Sequence, residues 1–318
     1  MRKLLALVSV LALSGCAAQV PTPTITPVDT KYCAVSDAAG YNDDGLNRSV
    51  YAALQQLKVQ TGASVVALEV GDKLSAQAAL QKLADAKCNA IIASGSSLVN
   101  STIAAARAHA NTRYYSVSDA TSMGVATENY SALTFNIFQA AYAAGFLSAA
   151  TVNSNTDVNR ININNQLKTA ASLKLEKAFA LGVDRYNSKN KKQVSVVISD
   201  VHSGEEIIFA IAGNSKQLGV IAQSSGTPPV KIVGFGRDWY TDLRNKAIRS
   251  SILTSVIRKD VVGKVADAVV NQSGSAHYDL SNDGVGLIDA NDISWPLSFS
   301  NEVSQMIKDF QDGKVKVG

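Results

Sequence analysis

The chain has 318 residues, of which 46% are hydrophobic and 18% charged, and a formal net charge of +4. This length allows one or two domains with a sizeable core. No basic run in its body is longer than two residues, as in the pair Lys191-Lys192, whereas nucleic-acid-binding surfaces cluster Lys and Arg on one face. The composition therefore argues against a nucleic-acid partner.

The first sixteen residues, MRKLLALVSVLALSGC, have the pattern of a secretory signal: two basic residues, an apolar run and small residues before Cys16. The ending LSGC resembles the bacterial lipobox, in which the chain is cut before the cysteine and the cysteine sulfur is acylated. Residues 1–15 are thus predicted to be a lipoprotein signal peptide and Cys16 the lipidation site. A simple signal peptide with an incidental cysteine is the alternative. The proline-containing residues 16–30 predict an extended tether.

Short apolar runs then alternate with helical patterns, which predicts mostly parallel sheets flanked by helices. Strands are predicted at 32–36, 64–70, 89–94, 114–118, 132–135, 160–164, 194–198, 231–234 and 252–257. Helices are predicted at 46–62, 76–86, 98–110, 137–149, 170–186, 205–218 and 260–270. The pattern indicates two α/β lobes: an N-terminal lobe over 31–135, to which the chain returns at about 260–290, and a mainly C-terminal lobe over 136–318.

Two cysteines remain in the body, Cys33 and Cys88. An extracytoplasmic protein can oxidise such a pair. Both lie near the starts of adjacent predicted strands, but a few residues out of register. Because a disulfide requires Cα atoms within about 7 Å, the register favours two free thiols over a bond.

Ligands of open α/β sheets lie beyond the carboxyl ends of the strands. In the first lobe this rule selects the loops that follow Ser36, Ser94 and Ser118. The first of them, DAAGYNDDGLN, carries more polar residues than a helix cap needs. Capping explains some of them, but it leaves Asp37 and Asn47 without a role. The sequence therefore predicts a binding loop here.

The order of residues in this loop resembles the opening motif of the basic membrane protein family, lipid-anchored substrate-binding proteins of bacterial ABC importers. Further segments resemble the family in the same order: Asn89 to Gly95, Asp119, Thr134-Phe135 with Gln139 to Gly145, Leu253 to Val256, Gly284 to Leu287 and Ile307 to Val317. The resemblance implies a two-lobe, type I periplasmic-binding-protein-like fold, and several members of the family bind purine nucleosides.

Four positions depart from the nucleoside receptors of that family. Leu46 stands where they have a Phe that stacks on the base, and Ser96 where a Phe is typical. Gly236 replaces an Asp that holds ribose hydroxyls, and Arg258 replaces a Lys. Stacking is worth about 1–3 kcal/mol per base in single-strand binding proteins, so these losses bear directly on nucleoside affinity.

The resulting candidate ligand set consists of residues at the carboxyl ends of the predicted strands. These residues are Asp37, Asn42, Asp43, Leu46, Asn47, Gly95, Ser96, Asp119, Gly236, Asp238 and Arg258. The Arg258 guanidinium has the bidentate geometry that suits a carboxylate or phosphate, and an ion pair between the lobes is its alternative role. Tyr41 or Trp239 is the candidate replacement for a lost aromatic platform.

Catalytic signals are weak. His109, His202 and His277 are scattered without metal-ligand spacing, and Ser203 at a predicted strand-to-helix turn is better explained as a helix cap. We therefore expect no enzyme, no metal and no cofactor.

The predicted protein is a monomeric solute receptor, held on the extracytoplasmic face of the cell membrane by its lipid anchor. It binds a small polar ligand, a nucleoside by resemblance, and works with an ABC permease. The alternative is a surface lipoprotein of the same fold that has lost nucleoside binding and serves as an adhesin or antigen, or binds another ligand.

Overall fold

A computed structural model describes residues 30–121, 127–152, 159–201, 207–212, 214–223, 230–241, 248–289 and 295–318. Its first half contains strands β1 Lys31–Ser36, β2 Ser64–Glu69, β3 Ala90–Ser94, β4 Arg113–Asp119 and β5 Tyr130–Phe135. The helices of this half are α1 Leu46–Thr61, α2 Ala76–Asp85, α3 Val99–Ala108 and α4 Ile137–Val152. A 3-10 turn, Ser96–Leu98, leads into α3.

The second half contains strands β6 Arg160–Asn165, β7 Ser195–Ile198, β8 Ile207–Ile211, β9 Lys231–Phe235, β10 Ile252–Arg258, β11 Ala276–Tyr278 and β12 Val285–Asp289. Its helices are α5 Ala170–Asn190, α6 Ser215–Gln223, α7 Val261–Val270 and α8 Phe299–Gln311. Among the residues described, no helix is long and apolar enough to cross a membrane.

The strands form two six-stranded sheets, in the orders β11-β5-β4-β3-β1-β2 and β12-β10-β9-β8-β6-β7. Every pairing is parallel except that of β10 with β12. The chain passes between the sheets more than once: α4 packs on α5 in the second half, whereas α7 packs on α1 and β11 pairs with β5. The predicted two-lobe α/β architecture is confirmed.

Helix α4 is apolar on all sides, and a helix of that kind is expected to be buried. It packs against α5 at very short range through Gly145 and Gly182. A Cβ atom on Gly145 would overlap the carbonyl oxygen of Phe179, and one on Gly182 would overlap that of Tyr142. The small residues of α4 thus allow the close helix pair that anchors the second sheet.

The helix predicted over 205–218 is wrong. The structure forms strand β8 at Ile207–Ile211, with all five residues buried, and begins α6 only at Ser215. A short apolar run such as IIFAI has no periodicity that separates a buried strand from a buried helix. Strands β11 and β12 and the extent of α8 were not predicted as elements.

The expectation of free thiols is also wrong, because Cys33 and Cys88 form a disulfide with a Cα–Cα distance of 5.9 Å. Cys33 pairs in register with Ile91 of β3. Cys88 precedes β3, and its backbone N–H donates to the carbonyl of Leu83, so it belongs to the turn after α2 and not to the strand. The pairing register of β1 with β3 does not apply to a residue in this turn, so it could not predict the distance between the two Cα atoms.

Candidate ligand-binding cleft

The carboxyl ends of strands from both sheets surround one cavity of about 750 Å³. The first lobe contributes the loops after β1, β3 and β4. The second lobe contributes the segments after β6, β8, β9 and β10. Ligand pockets commonly have volumes of about 300–1,000 Å³ and lie between domains. The size and position of this cavity are therefore those of a small-molecule site.

The loop after β1 is held by a chain of side-chain hydrogen bonds. Asn47 Nδ2 donates to Asp37 Oδ1 at 2.8 Å, and Asn47 Oδ1 accepts from Ser94 Oγ at 2.6 Å. The backbone N–H of Ala39 donates to the same Asp37 oxygen. Asn47 and Ser94 are buried, so this chain ties α1 to the end of β3. Asn47 thus has a structural role that the sequence did not reveal.

The carboxylate of Asp37 also lies against Gly95. A Cβ atom on Gly95 would overlap Asp37 Oδ2, and the φ of Gly95 is +115°, outside the range that L-residues readily adopt. Among the residues described, Oδ2 of Asp37 accepts no hydrogen bond. Asp37 therefore presents one free acceptor at the cavity.

Asp43 caps helix α1. Its two carboxylate oxygens accept from the backbone N–H groups of Gly45, Asn47 and Arg48 at 2.8–3.0 Å. Burial raises the pKa of the Asp43 carboxyl above its ordinary value, and it outweighs the opposing effects of these three donors and of the Arg258 charge. The three backbone donors thus hold the Asp43 carboxylate in place, while its burial disfavours the ionised form.

A bidentate ion pair crosses the cleft. Arg258, at the end of β10, donates from Nε and Nη2 to the two carboxylate oxygens of Asp119, at the end of β4, at 2.6 and 2.5 Å. The two side chains are only 4% and 10% exposed. Burial by itself would lower the pKa of Arg258, but Asp119 and Asp43 outweigh it and raise the pKa above its ordinary value. Arg258 is therefore charged and already bound to an acid.

A second contact between the lobes is made by Asp44, which sequence reasoning did not select. Its Oδ1 accepts from Arg237 Nη1 at 3.0 Å and from Arg48 Nη1 at 2.7 Å. Its Oδ2 accepts from the backbone N–H of Ser215 at 3.2 Å. Asp44 is 4% exposed at its side chain, so this contact closes one rim of the cavity.

Ten of the eleven predicted site residues line the cavity: Asp37, Asn42, Asp43, Leu46, Asn47, Gly95, Ser96, Asp119, Gly236 and Arg258. The eleventh, Asp238, does not. Its oxygens accept from the backbone N–H groups of Tyr240 and Thr241 and from Thr241 Oγ1. Asp238 thus stabilises its own turn, which is the ordinary use of an Asp at a turn.

The expected replacement aromatics are also outside the cavity. Tyr41 packs on Tyr51, with ring centroids 5.0 Å apart, and Trp239 is buried with Nε1 donating to the Phe235 carbonyl. The described residues that line the cavity include one aromatic side chain, Phe235, with the Arg258 guanidinium 5.4 Å from its ring centroid. Its place at the end of β9 was the signal that could have identified it.

The second-lobe wall was largely missed. Besides Phe235, Gly236 and Arg258, it consists of residues after β6 and β8: Leu167, Thr169, Ala170, Ala171, Ser172, Leu175, Ala212, Asn214 and Gln217. The rule on the carboxyl ends of strands would have selected the segment after β6 if it had been applied to the second lobe as well. It could not select the segment after β8, because that strand was predicted as part of a helix.

The described residues contain no cluster of His, Cys, Asp and Glu that could hold a metal ion. His109 contacts Gln81, and His277 lies 2.8 Å from Thr134 Oγ1. His202 and Ser203, the remaining candidates for acid-base chemistry, lie outside the described residues. So do Cys16 and residues 17–29 of the tether.

A family model described as "ABC transporter substrate-binding protein PnrA-like" matches residues 31–312. The chain belongs to this family. The family consists of substrate-binding proteins of ABC transporters, which act outside the cytoplasm and are in general not enzymes. The resemblance read from the loop after β1 and the six later segments is thereby confirmed.

One curated relative is the ABC transporter nucleoside-binding protein BmpA of Lactococcus lactis subsp. cremoris (strain MG1363). It is 22% identical over 348 residues, which cover 98% of this chain and 96% of the relative.

Among solved structures, an ABC transporter solute-binding protein from Aeropyrum pernix K1 has a TM-score of 0.66 at 14% identity, covering 90% of this chain and 92% of the other. One from Conexibacter woesei DSM 14684 has a TM-score of 0.64 at 15% identity, covering 91% and 99%. These similarities establish the fold.

Proposed function

We propose that this family member is a lipid-anchored, extracytoplasmic receptor that binds a nucleoside between its two lobes and presents it to the permease of an ABC importer. The observation that carries the proposal is the cavity of about 750 Å³, which is lined by both lobes at the carboxyl ends of their strands. A ligand that contacts both walls stabilises the closed arrangement by its differential contacts.

The polar wall of the first lobe suits a sugar. Asp37 Oδ2 is free to accept from a hydroxyl group, and the exposed Asn42 amide can both donate and accept. Ser96 donates its hydroxyl to the Asp119 carbonyl at 3.1 Å, which leaves its oxygen able to accept. These groups match the donors and acceptors of a ribose.

The apolar wall suits a base, but without two stacking rings. Leu46 is largely buried and lines the cavity, and Phe235 faces it from the second lobe. Contact with Leu46 replaces stacking by ordinary burial, which is worth about 25 cal/mol per Å² of apolar surface. We therefore expect weaker nucleoside binding than two aromatic platforms would give. The name of the Lactococcus relative, a nucleoside-binding protein, supports the same ligand class.

The test is a thermal-shift screen of purified residues 30–318 with adenosine, guanosine, inosine and their free bases. Binding to the folded state alone raises the melting temperature in proportion to ln(1 + [L]/Kd), so even weak binders register at about 1 mM. Asp37→Asn should abolish the shift. Asp238→Asn, which removes a carboxylate that lies outside the cavity, should retain it. No shift with any of these compounds would reject the nucleoside.

The alternative, a surface lipoprotein of this fold that has lost nucleoside binding, is favoured by Leu46, Ser96 and Gly236. It predicts no shift in the nucleoside screen or in a broad screen of sugars and amino acids.

The anchor is tested separately by Cys16→Ala, which should release the protein from the membrane fraction of producing cells. Sedimentation of residues 30–318 should give the mass of a monomer.

A further inference from the structure

The cavity wall carries an unbalanced set of charges. Among its described lining residues there are four carboxylates, Asp37, Asp43, Asp44 and Asp119, and one cation, Arg258. Arg48 and Arg237, outside the lining, neutralise Asp44. The only lining cation in this described set is therefore the guanidinium that is already bound to Asp119.

That guanidinium would otherwise be an anion site. A planar guanidinium binds carboxylate or phosphate in a bidentate manner, and such charge-assisted pairs are the strong ones. In the closed cleft, however, Asp119 fills this position from the opposite lobe with bonds of 2.6 and 2.5 Å. An anionic ligand would have to displace Asp119 and leave its carboxylate unpaired in a largely buried position, next to a second negative charge. An uncharged ligand leaves the pair intact.

We propose that Asp119 is a specificity-determining residue: by occupying Arg258 across the cleft, it restricts the site to solutes without a negative charge, so that a nucleoside is accepted and its 5′-phosphate is rejected. The nucleoside part of this inference rests on the proposed function. The masking of Arg258 does not, since it follows from the ion pair and the charges of the lining.

The experiment measures binding of adenosine 5′-monophosphate and ribose 5-phosphate by calorimetry to residues 30–318. The unmodified protein should bind neither measurably. Asp119→Asn frees the guanidinium and should gain affinity for both phosphates, at least tenfold. Asp119→Ser frees it by a different side chain and should show the same gain. In the double variant Asp119→Asn with Arg258→Gln, the gain should disappear.

Asp43→Asn is the matched control. It also removes one carboxylate from the lining but leaves the Asp119–Arg258 pair in place. The amide oxygen of Asn can keep the bonds from the Gly45 and Arg48 N–H groups, and only the bond from the Asn47 N–H is lost. The proposal requires the gain at position 119 and its absence at position 43. Equal gains in both variants would mean that the general field of the cavity, and not the masking of Arg258, sets the preference.

Three outcomes would overturn the assignment: phosphate binding by the unmodified protein, no gain in either position-119 variant, or loss of folding in both variants. Loss of folding would mean that the Asp119–Arg258 pair serves stability. If adenosine fails to bind but the position-119 variants gain phosphate binding, the nucleoside proposal falls while the masking of Arg258 is upheld.

Discussion

Asn47 and Asp37 are joined by a hydrogen bond of 2.8 Å that closes the loop between β1 and α1. This bond changes the interpretation of the loop. Both residues exceed what helix capping requires, and for Asn47 the reason is internal, because its amide also receives the Ser94 hydroxyl. Of these two residues, Asp37 alone keeps an oxygen, Oδ2, that accepts no hydrogen bond from the part of the chain that the structure describes. The loop thus lines the cavity, and its shape depends on one buried amide.

Replacing Asn47 by Ala should destabilise the protein by about 1–3 kcal/mol, since Asp37 and buried Ser94 each lose a partner. Urea unfolding at neutral pH measures the change. Asn42→Ala is the matched control: Asn42 is exposed on the same loop, and its substitution should change stability by less than about 0.5 kcal/mol. Equal effects of the two substitutions would contradict the role given to Asn47.

Replacing Gly95 by Ala should cost about 1–3 kcal/mol from backbone strain at φ +115° and should also move the Asp37 carboxylate. Ligand affinity and stability should therefore fall together. Gly274→Ala is the control, because a Cβ atom there meets open space. In an Asp37→Ala background the cost of Gly95→Ala should shrink by more than about 0.5 kcal/mol, a coupling that a double-mutant cycle measures. If the effects of Gly95→Ala and Asp37→Ala on the free energy of unfolding are fully additive, the whole cost of Gly95→Ala comes from backbone strain and none from contact with Asp37.

The sequence could predict the fold and the first-lobe wall of the site for the same reason. Both follow from alternating apolar runs and from the rule on the carboxyl ends of strands, which are local patterns. It failed where position depends on tertiary structure. An ion pair between the lobes was predicted as the alternative role of Arg258 and is present, but its partner Asp119 was not identified. The Asp44–Arg237 pair was not predicted at all, because no local pattern states how two lobes face each other. Asp238 was predicted to line the site but does not line the cavity, for a local reason: its carboxylate accepts hydrogen bonds from Tyr240 and Thr241 in its own turn.

The Cys33–Cys88 bond should contribute about 2–4 kcal/mol to stability, because it closes a span of 55 residues in the unfolded chain. Chemical unfolding with and without a reductant measures this contribution. Cys33→Ala with Cys88→Ala should match the reduced protein in stability and should be insensitive to the reductant. Two free thiols in the unreduced, denatured protein would contradict the bond.

Two carboxylates should make the stability depend on pH with opposite signs. Burial raises the pKa of Asp43, so the folded state binds its proton more tightly than the unfolded chain does. Its contribution to the free energy of unfolding should therefore fall as the pH rises from the ordinary value of 3.8 through the raised pKa. Arg185, which donates to Asp309 at 2.7 Å, lowers the pKa of Asp309. The contribution of Asp309 is present above 3.8 and is lost as the pH falls through the lowered pKa.

Urea unfolding of the unmodified protein, Asp43→Asn and Asp309→Asn from about pH 2.5 to about pH 7 separates the two effects. The stability of the unmodified protein relative to Asp43→Asn should decrease with rising pH, because ionised Asp43 must lose its water in the folded state. Its stability relative to Asp309→Asn should increase over the acidic part of the range, because the ion pair with Arg185 forms there. Each variant serves as the control for the other, since both remove one carboxylate. Curves of the same slope would show that net charge, and not the surroundings of each carboxyl, governs the response.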